Sequence, residues 1–300
     1  MKSQIIKDDM WDIKNRQQTQ IKLDILKNYL KAWAIIIGSH FPTAYFVDCF
    51  AGRGKYHFGE QKDSVLGSPI IGIETSLMVR KIKLKKGLKF DLNIIAIDTE
   101  KENIESLKRF AKEADPNSET KIEIIDSKFE MVLPEVLKKI SGMPAFFFID
   151  PYGIKGVSKE SIDLIVNRIG STEIFLNYMQ MGVQRVKGQY KNINHEIEKI
   201  RIKAVKTIAH MDSLFGDTSW VDKAEGELLK HFVRQVFSKN YRFVLNFNVP
   251  YPDRSGTIYN LLFATNYDCG EKIMKDIMTR KLFKGTLFES CPFNVDWNIK

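Results

Sequence analysis

The chain has 300 residues and a mass of 34.7 kDa, and its 44% apolar and 28% charged residues exclude a disordered or low-complexity protein. Its 46 lysines and arginines against 37 aspartates and glutamates give a net charge of +9, which favours polyanionic partners. Three dispersed cysteines, no secretory pattern and no bilayer-length apolar run exclude a disulfide scaffold, a zinc site and a membrane span, so we expect a cytoplasmic protein.

The first 180 residues alternate helices with apolar strands. Apolar residues at a spacing of three and four predict an opening helix over 19–37. The strands that follow are nearly continuous apolar runs, which is typical of a parallel sheet covered on both faces. We predict five of them, with four intervening helices: strands at 44–50, 92–98, 121–126, 144–150 and 172–179, and helices at 68–83, 101–114, 129–140 and 158–169.

The pattern changes after residue 180. Residues 183–237 are almost entirely helical in pattern, with a break near 215–217. Two strands, 242–249 and 256–266, then follow with only a short join. A parallel pair would need a crossover, so these strands must be antiparallel, and a last helix covers 269–280.

Five parallel strands followed by an antiparallel hairpin form the layout of the Rossmann-like, seven-stranded class I methyltransferase fold. We therefore predict this α/β fold, with an N-terminal helix and a helical insertion. The expected organisation is an N-terminal helical segment (1–44), a core (45–280) with the insertion at about 183–219, and a C-terminal tail (281–300).

Polar residues stand where the first strands end, which is the ligand-binding edge of a doubly wound sheet. Asp48 precedes the turn Ala51-Gly52-Arg53-Gly54, whose amide groups could hold a carboxylate. Asp98 could accept both hydroxyls of a ribose. Asp126 and Ser127 could pair with an adenine amine and ring nitrogen. Each acid has an alternative role as a helix cap or turn residue, but four consecutive strands ending in aspartate predict a nucleoside-bearing ligand.

The sequence lacks the motifs of several other classes of binding or catalytic site. The loop has GxG without the third glycine of a dinucleotide fold, and Asp98 lies 46 positions after Gly52 instead of about 20. There is no P-loop and no GxSxG nucleophile elbow. The five histidines have no ligand spacing, so we expect no metal.

The fourth strand ends in Asp150-Pro151-Tyr152-Gly153. Asp150 and the Pro151 carbonyl could accept the two N–H bonds of an exocyclic amine, and Tyr152 could stack on its base. The same residues could also form only a tight turn. At the end of the fifth strand, Asn177, Tyr178 and Gln180 are further candidates for the substrate side, although Asn-Tyr at a strand end is commonly structural.

The segments FVDCFAGRGKY, GSPIIGIE, AIDTEKENIESL, FFFIDPYGIKGVS and SGTIYNLLFATN resemble the three-Cys-motif partner protein family, from about Trp11 to Arg280. That resemblance implies a protein similar to S-adenosylmethionine-dependent methyltransferases and a separate partner protein encoded nearby. It implies that the first motif, formed by Asp48, Ala51, Gly52 and Gly54, holds the methionine part of the cofactor. It also implies that Asp98 binds the ribose and that Asp126 and Ser127 contact the adenine. Asp150, Pro151 and Tyr152 stand where amino-methyltransferases carry Asp/Asn-Pro-Pro-Tyr/Phe, with one proline fewer.

The leading hypothesis is a methyltransferase that uses S-adenosylmethionine to methylate an exocyclic amine of a DNA or RNA base. Three basic clusters, at 80–89, 184–208 and 272–284, favour the nucleic-acid target, although each could be a solvated helix face. The alternative is a catalytically inactive binding module that keeps the fold as a scaffold or sensor. A third hypothesis is a methyltransferase for a protein or a small molecule.

Overall fold

A computed structural model describes residues 16–57, 64–250, 256–283 and 295–296. The fold is mixed α/β, with the seven predicted strands, mostly parallel and antiparallel at the C-terminal end, one further two-residue strand at 295–296, and helices around them. This is the predicted methyltransferase-type architecture. Two compact units make up the chain. Unit 1 contains the described residues up to Ser127 together with 276–283. Unit 2 contains the described residues of Lys128–Lys275 and the short strand at 295–296.

Unit 1 contains three parallel strands in the order β1-β4-β5, and a separate two-stranded hairpin, β2-β3. Asp48 is in register with Ala96, and Asp98 is in register with Asp126. Its elements are α1 (Arg16–Ile37), β1 (Thr43–Asp48), β2 (Lys55–His57), β3 (Ser64–Leu66), α2 (Ser68–Leu84), β4 (Asp91–Asp98), α3 (Lys101–Ala114) and β5 (Ile122–Asp126).

Part of the first basic cluster is structural. Lys83 is buried, and its ammonium group donates to the Ile35 carbonyl and the Ser39 hydroxyl, each at 2.6 Å. Burial lowers the pKa of Lys83, and neighbouring Lys86 lowers it further. Arg80 donates to the Glu119 carbonyl. These two side chains anchor helix α2, so the cluster at 80–89 is not a uniform solvent-facing patch.

Unit 2 contains the strand order β6-β7-β9-β8-β10, in which β6 and β7 are parallel and the remaining pairs are antiparallel. All seven residues of β7 and all five of β6 are buried. Its elements are α4 (Phe129–Lys139), β6 (Ala145–Ile149), α5 (Lys159–Val166), β7 (Thr172–Tyr178), α6 (Gln180–Gln189), α7 (Glu198–Phe215), α8 (Leu228–Val236), β8 (Phe243–Pro250), β9 (Thr257–Thr265) and β10 (Val295–Asp296). The last helix, α9 (Asp268–Phe283), begins in unit 2 and belongs to unit 1 from Asp276 onward.

All seven predicted strands are present, and the predicted antiparallel hairpin is β8-β9. The insertion is helical as expected. Its break is made by Gly216, which ends α7 with φ at +80°, a left-handed conformation that favours glycine. The hairpin β2-β3 and the two-residue β10 were not predicted. Most of the predicted tail, 284–294 and 297–300, and the chain start, 1–15, lie outside the described residues.

Candidate functional site

The loop after β1 brings the backbone back towards the end of β4. Asp48 is fully buried, and its carboxylate Oδ1 accepts a long hydrogen bond from the Phe50 amide, at 3.4 Å. The Ala51 amide donates to the Ile97 carbonyl at 2.9 Å. Gly52 and Gly54 then have φ of +63° and +86°, so this turn needs glycine at both positions.

Asp98 joins this glycine turn to the start of α3. Its Oδ2 accepts the Gly52 amide at 2.8 Å. Its Oδ1 accepts the Glu100 amide at 2.8 Å and the Asn103 side-chain amide at 3.3 Å. The carboxylate thus serves the helix start, which is one of its two predicted roles, and it also holds the loop, which was not predicted.

The ends of β4 and β5 lie side by side. Asp98 and Asp126 are register partners, and the Ser127 amide donates to the Asp98 carbonyl at 3.1 Å. Asp126 is exposed and Ser127 is half-buried. Unit 1 therefore gathers Gly52, Asp98, Asp126 and Ser127 at one edge of its strands, with Asp48 and Ala51 buried in the turn behind them.

These residues fit a cofactor that carries an adenosine group. Asp98 and Asp126 are hydrogen-bond acceptors, as ribose hydroxyls and an adenine amine require. A Cβ at Gly52 would overlap the Tyr56 hydroxyl, so this hydroxyl packs against the turn where a side chain would otherwise stand. Tyr56 was not found by sequence reasoning, because nothing in the sequence places the hairpin against the turn.

In unit 2, the residues after β6 include one buried anchor and one exposed aromatic. Pro151 is buried, whereas Tyr152 is 80% exposed, and Gly153 has φ at +85°. The Asp150 carboxylate Oδ1 accepts the Asn177 side-chain amide at 2.7 Å. The predicted residues Asp150 and Asn177 are therefore in direct contact, and Tyr152 faces solvent.

Tyr259 on β9 belongs to the same cluster. Asn177 is the register partner of Leu261, so Tyr259, two residues away, shares the Leu261 face of the strands. Burial raises the pKa of the Tyr259 phenol, and the Asp150 charge raises it further, which keeps the phenol protonated. The sequence predicts the strand that carries Tyr259 but does not single out this residue.

The other two residues named after the fifth strand lie elsewhere. Tyr178 faces away from Asn177 and packs against Phe232, with ring centroids 5.1 Å apart. Gln180 accepts a hydrogen bond from Asn260 at 3.3 Å. We therefore assign Tyr178 to the packing of α8 on the sheet.

Among the described residues, no group of three histidine, cysteine, aspartate or glutamate side chains is arranged to hold a metal ion. Burial raises the pKa of the Cys49 thiol, and Asp48 raises it further, so this cysteine is a poor nucleophile. No helix in the same part of the chain combines the length and hydropathy that crossing a bilayer requires.

No protein-family model and no curated protein sequence matches this chain. Among solved structures, it is similar to a protein from Legionella pneumophila described under the family model DUF519, with 12% identity and a TM-score of 0.49 over 92% of this chain and 96% of that one. It is also similar to Trm1 from Pyrococcus horikoshii, solved with S-adenosyl-L-methionine, with 9% identity and a TM-score of 0.41 over 84% of this chain and 58% of that one.

A third similar structure is precorrin-6y C5,15-methyltransferase from Geobacter metallireducens, with 14% identity and a TM-score of 0.34 over 79% of this chain and 88% of that one. At these identities and TM-scores the likenesses carry no inference about activity. The fold assignment rests on the strand order and register, and membership of the three-Cys-motif partner family stays a prediction.

Proposed function

We propose that this protein is an S-adenosylmethionine-dependent methyltransferase that acts on an exocyclic amine of a nucleic-acid base. The observation that carries the proposal is the link between the Asp98 carboxylate and the Gly52 amide, with Asp126 beside it. It holds a glycine turn next to two neighbouring strand-end acids, which is an arrangement suited to an adenosine-bearing cofactor.

In this proposal the residues of unit 1 hold the cofactor. The glycine turn holds the methionine part, Asp98 the ribose hydroxyls, and Asp126 and Ser127 the adenine. A carboxylate has about four acceptor positions, and Asp98 already accepts three hydrogen bonds. A ribose with two hydroxyls must therefore replace one of them, and the 3.3 Å bond from Asn103 is the longest of the three.

Asp150 performs the chemistry on the substrate amine. An exocyclic amine is a weak nucleophile because its lone pair is delocalised into the ring. When bound, S-adenosylmethionine supplies an electrophilic methyl group on a sulfonium, whose C–S bond breaks to leave S-adenosylhomocysteine. Asp150 accepts an N–H bond of the amine, which localises the lone pair on nitrogen, and takes the proton that nitrogen releases once the N–C bond has formed.

Tyr152 supports a base as the substrate. Its ring is 80% exposed at the turn that carries Asp150, so it is accessible for stacking. A base stacked on an aromatic side chain typically gains about 1–3 kcal/mol. A base within a duplex would have to be flipped out to reach Asp150. The resemblance to the three-Cys-motif partner family adds a partner protein to this proposal.

Binding of S-adenosylhomocysteine, measured by titration calorimetry, tests the cofactor half of the proposal. We expect Asp98→Ala to weaken binding at least about 10-fold, since it removes charge-assisted hydrogen bonds worth about 1.5–3 kcal/mol each. Asp91→Ala is the matched control, because Asp91 lies at the opposite end of the same strand. Absent binding to the wild type, or equal binding by both variants, would remove the enzyme proposal.

Methyl transfer separates the enzyme from the binding-module alternative. Tritiated S-adenosylmethionine is incubated with DNA, RNA or a total lysate, and incorporation is counted for wild type, Asp150→Ala and the control Asp163→Ala. Asp163 pairs with Lys159 on α5 and has no role in the proposal. Incorporation that only Asp150→Ala abolishes supports the methyltransferase. Cofactor binding without incorporation into any substrate would favour the scaffold or sensor.

A further inference from the structure

Asn177 is a polar side chain at the carboxyl end of the apolar strand β7, one residue before the last. Its exposed fraction is 4%. Its amide nitrogen donates to Asp150 Oδ1 at 2.7 Å and lies 3.4 Å from the Met179 sulfur. Its carbonyl oxygen is buried and has no hydrogen-bond partner in the described part of the chain. One half of the amide is thus engaged with Asp150, and the other half is an unused acceptor.

A buried carbonyl oxygen without a donor destabilises the folded chain. A leucine has the same branched arrangement of side-chain heavy atoms and would carry no such penalty. The asparagine therefore needs a reason beyond packing, and its contact with Asp150 locates that reason at the residue to which we assign the chemistry. A ligand that brings an N–H donor to this acceptor would satisfy it.

We propose that Asn177 is a specificity-determining residue, whose amide nitrogen orients Asp150 while its carbonyl oxygen accepts an N–H bond of the substrate. This inference rests on the proposed function, because it assumes that an amine-bearing base meets Asp150. An exocyclic amine has two N–H bonds. Asp150 and Asn177, at the ends of adjacent strands, then supply two acceptors, with Asn177 in the place that the sequence had suggested for the Pro151 carbonyl. The pair selects an amine over a carbonyl group at that position of the base.

The chain contains a matched control for this asparagine. Asn246 lies on β8, its exposed fraction is 5%, and its carbonyl oxygen also has no partner among the described residues. It pairs in register with Leu262, whose neighbour Leu261 pairs with Asn177, so the two asparagines point to opposite faces of the strands. Asn246→Leu repeats the chemical change away from Asp150.

The first experiment measures steady-state methyl transfer and binding of a single-stranded oligonucleotide that carries one 2-aminopurine, followed by its fluorescence. For Asn177→Leu we expect kcat to fall about 10- to 100-fold, as for loss of hydrogen bonds to a charged group, and oligonucleotide binding to weaken. Asn246→Leu should leave both unchanged. Equal effects of the two variants on both measurements would overturn the inference.

The second experiment is the pH profile of kcat/KM for Asn177→Asp. This variant keeps two acceptor oxygens but places a second carboxylate beside Asp150, and such a pair titrates with one pKa raised. We expect the acidic limb of the profile to move to higher pH by at least about one unit. A residue that only packs the strand would lower activity without moving that limb, and an unmoved limb would contradict the assignment.

The outcomes distinguish this inference from the proposed function. If the wild type transfers methyl groups and Asn177→Leu behaves like Asn246→Leu, the inference is overturned and the methyltransferase stands. If the wild type transfers none but 2-aminopurine binding depends on Asn177, base recognition is supported and the methyltransferase is overturned. If the wild type shows neither transfer nor binding, both are overturned.

Discussion

Gly52 lies in the candidate cofactor turn and has a backbone conformation that favours glycine. Its φ of +63° costs an L-residue about 1–2 kcal/mol, and a Cβ there would overlap the Tyr56 hydroxyl while staying 3.6 Å from its Cζ. We expect Gly52→Ala to destabilise the wild type by more than it destabilises the Tyr56→Phe variant, by at least about 1 kcal/mol. The remaining cost in the Tyr56→Phe background is the left-handed strain alone.

Urea unfolding of the four proteins in this double-mutant cycle gives the coupling free energy directly. A coupling near zero would show that the hydroxyl does not confine the turn. Titration with S-adenosylhomocysteine on the same four proteins then asks whether the position of the turn sets cofactor affinity. The proposed function predicts that affinity for S-adenosylhomocysteine decreases across the four proteins in the same order as their free energy of unfolding.

At the residue scale, the sequence suggests the acids as site residues but not all of the residues that contact them. Asp98 and Asp150 were predicted as site residues because each follows a continuous apolar strand, and that pattern is local. Tyr56 and Tyr259 were not, since their positions depend on how a hairpin and an antiparallel strand approach from distant parts of the chain. Asn177 was predicted as a candidate, whereas its bond to Asp150 is a tertiary contact that no local pattern encodes.

At the element scale, the connection between α7 and α8 carries a titratable contact. The Ser219 hydroxyl donates to Asp217 and lies 2.7 Å from Nε2 of His231, whose ring stacks on Phe215 at 5.5 Å. Burial lowers the pKa of His231 below its ordinary value of 6.5; Lys223 and Arg234 lower it further, and Asp217 opposes them. This contact joins the end of one helix to the body of the next.

The depressed pKa of His231 fixes the sign of a pH effect. Between the folded pKa and the unfolded value of 6.5, the unfolded chain binds more protons, so stability falls as pH decreases through that window. We expect His231→Gln, which keeps a donor near Ser219, to lose this component. Urea unfolding from pH 7.5 to 5.0 measures it, with a difference in slope of at most about 1.4 kcal/mol per pH unit. Parallel profiles would exclude His231 as its source.

Strands were predicted correctly where their apolar residues form a continuous run. The strands β6 and β7 are fully buried, and their continuous apolar runs are visible without any tertiary information. The hairpin β2-β3 has only three residues on each side, which is too short for an alternation of apolar and polar residues to predict a strand, so its pairing depends on tertiary context. The same holds for β10, whose two residues pair with β8.

At the scale of the whole molecule, the net charge of +9 is useful only together with its distribution. Part of it is committed to structure: Lys83 is buried, and Lys187 donates to the backbone carbonyls of Trp220, Val221 and Lys223. Helix α7 differs, because it presents four exposed cations within two turns: Lys199, Arg201, Lys203 and Lys206. No ion pair to these four is found within the described ranges.

If nucleic acid is the substrate, the exposed cations of α7 should contact phosphates. We expect the triple charge reversal Lys199→Glu, Lys203→Glu and Lys206→Glu to weaken oligonucleotide binding. It should also reduce the slope of log K against log salt by about 2 to 3, since each phosphate contact contributes about 0.7 for single strands and 0.9 for duplex DNA. Fluorescence anisotropy at several salt concentrations measures both quantities.

The control reverses three exposed lysines outside α7, namely Lys108, Lys121 and Lys138. Each reversal removes two charges, so both triple variants carry +3 instead of +9 and differ only in where the charge was lost. A long-range effect of net charge would weaken binding equally in both, whereas a phosphate contact on α7 changes the salt slope only in the first. Equal slopes would remove α7 from the nucleic-acid interface and favour a protein or small-molecule substrate.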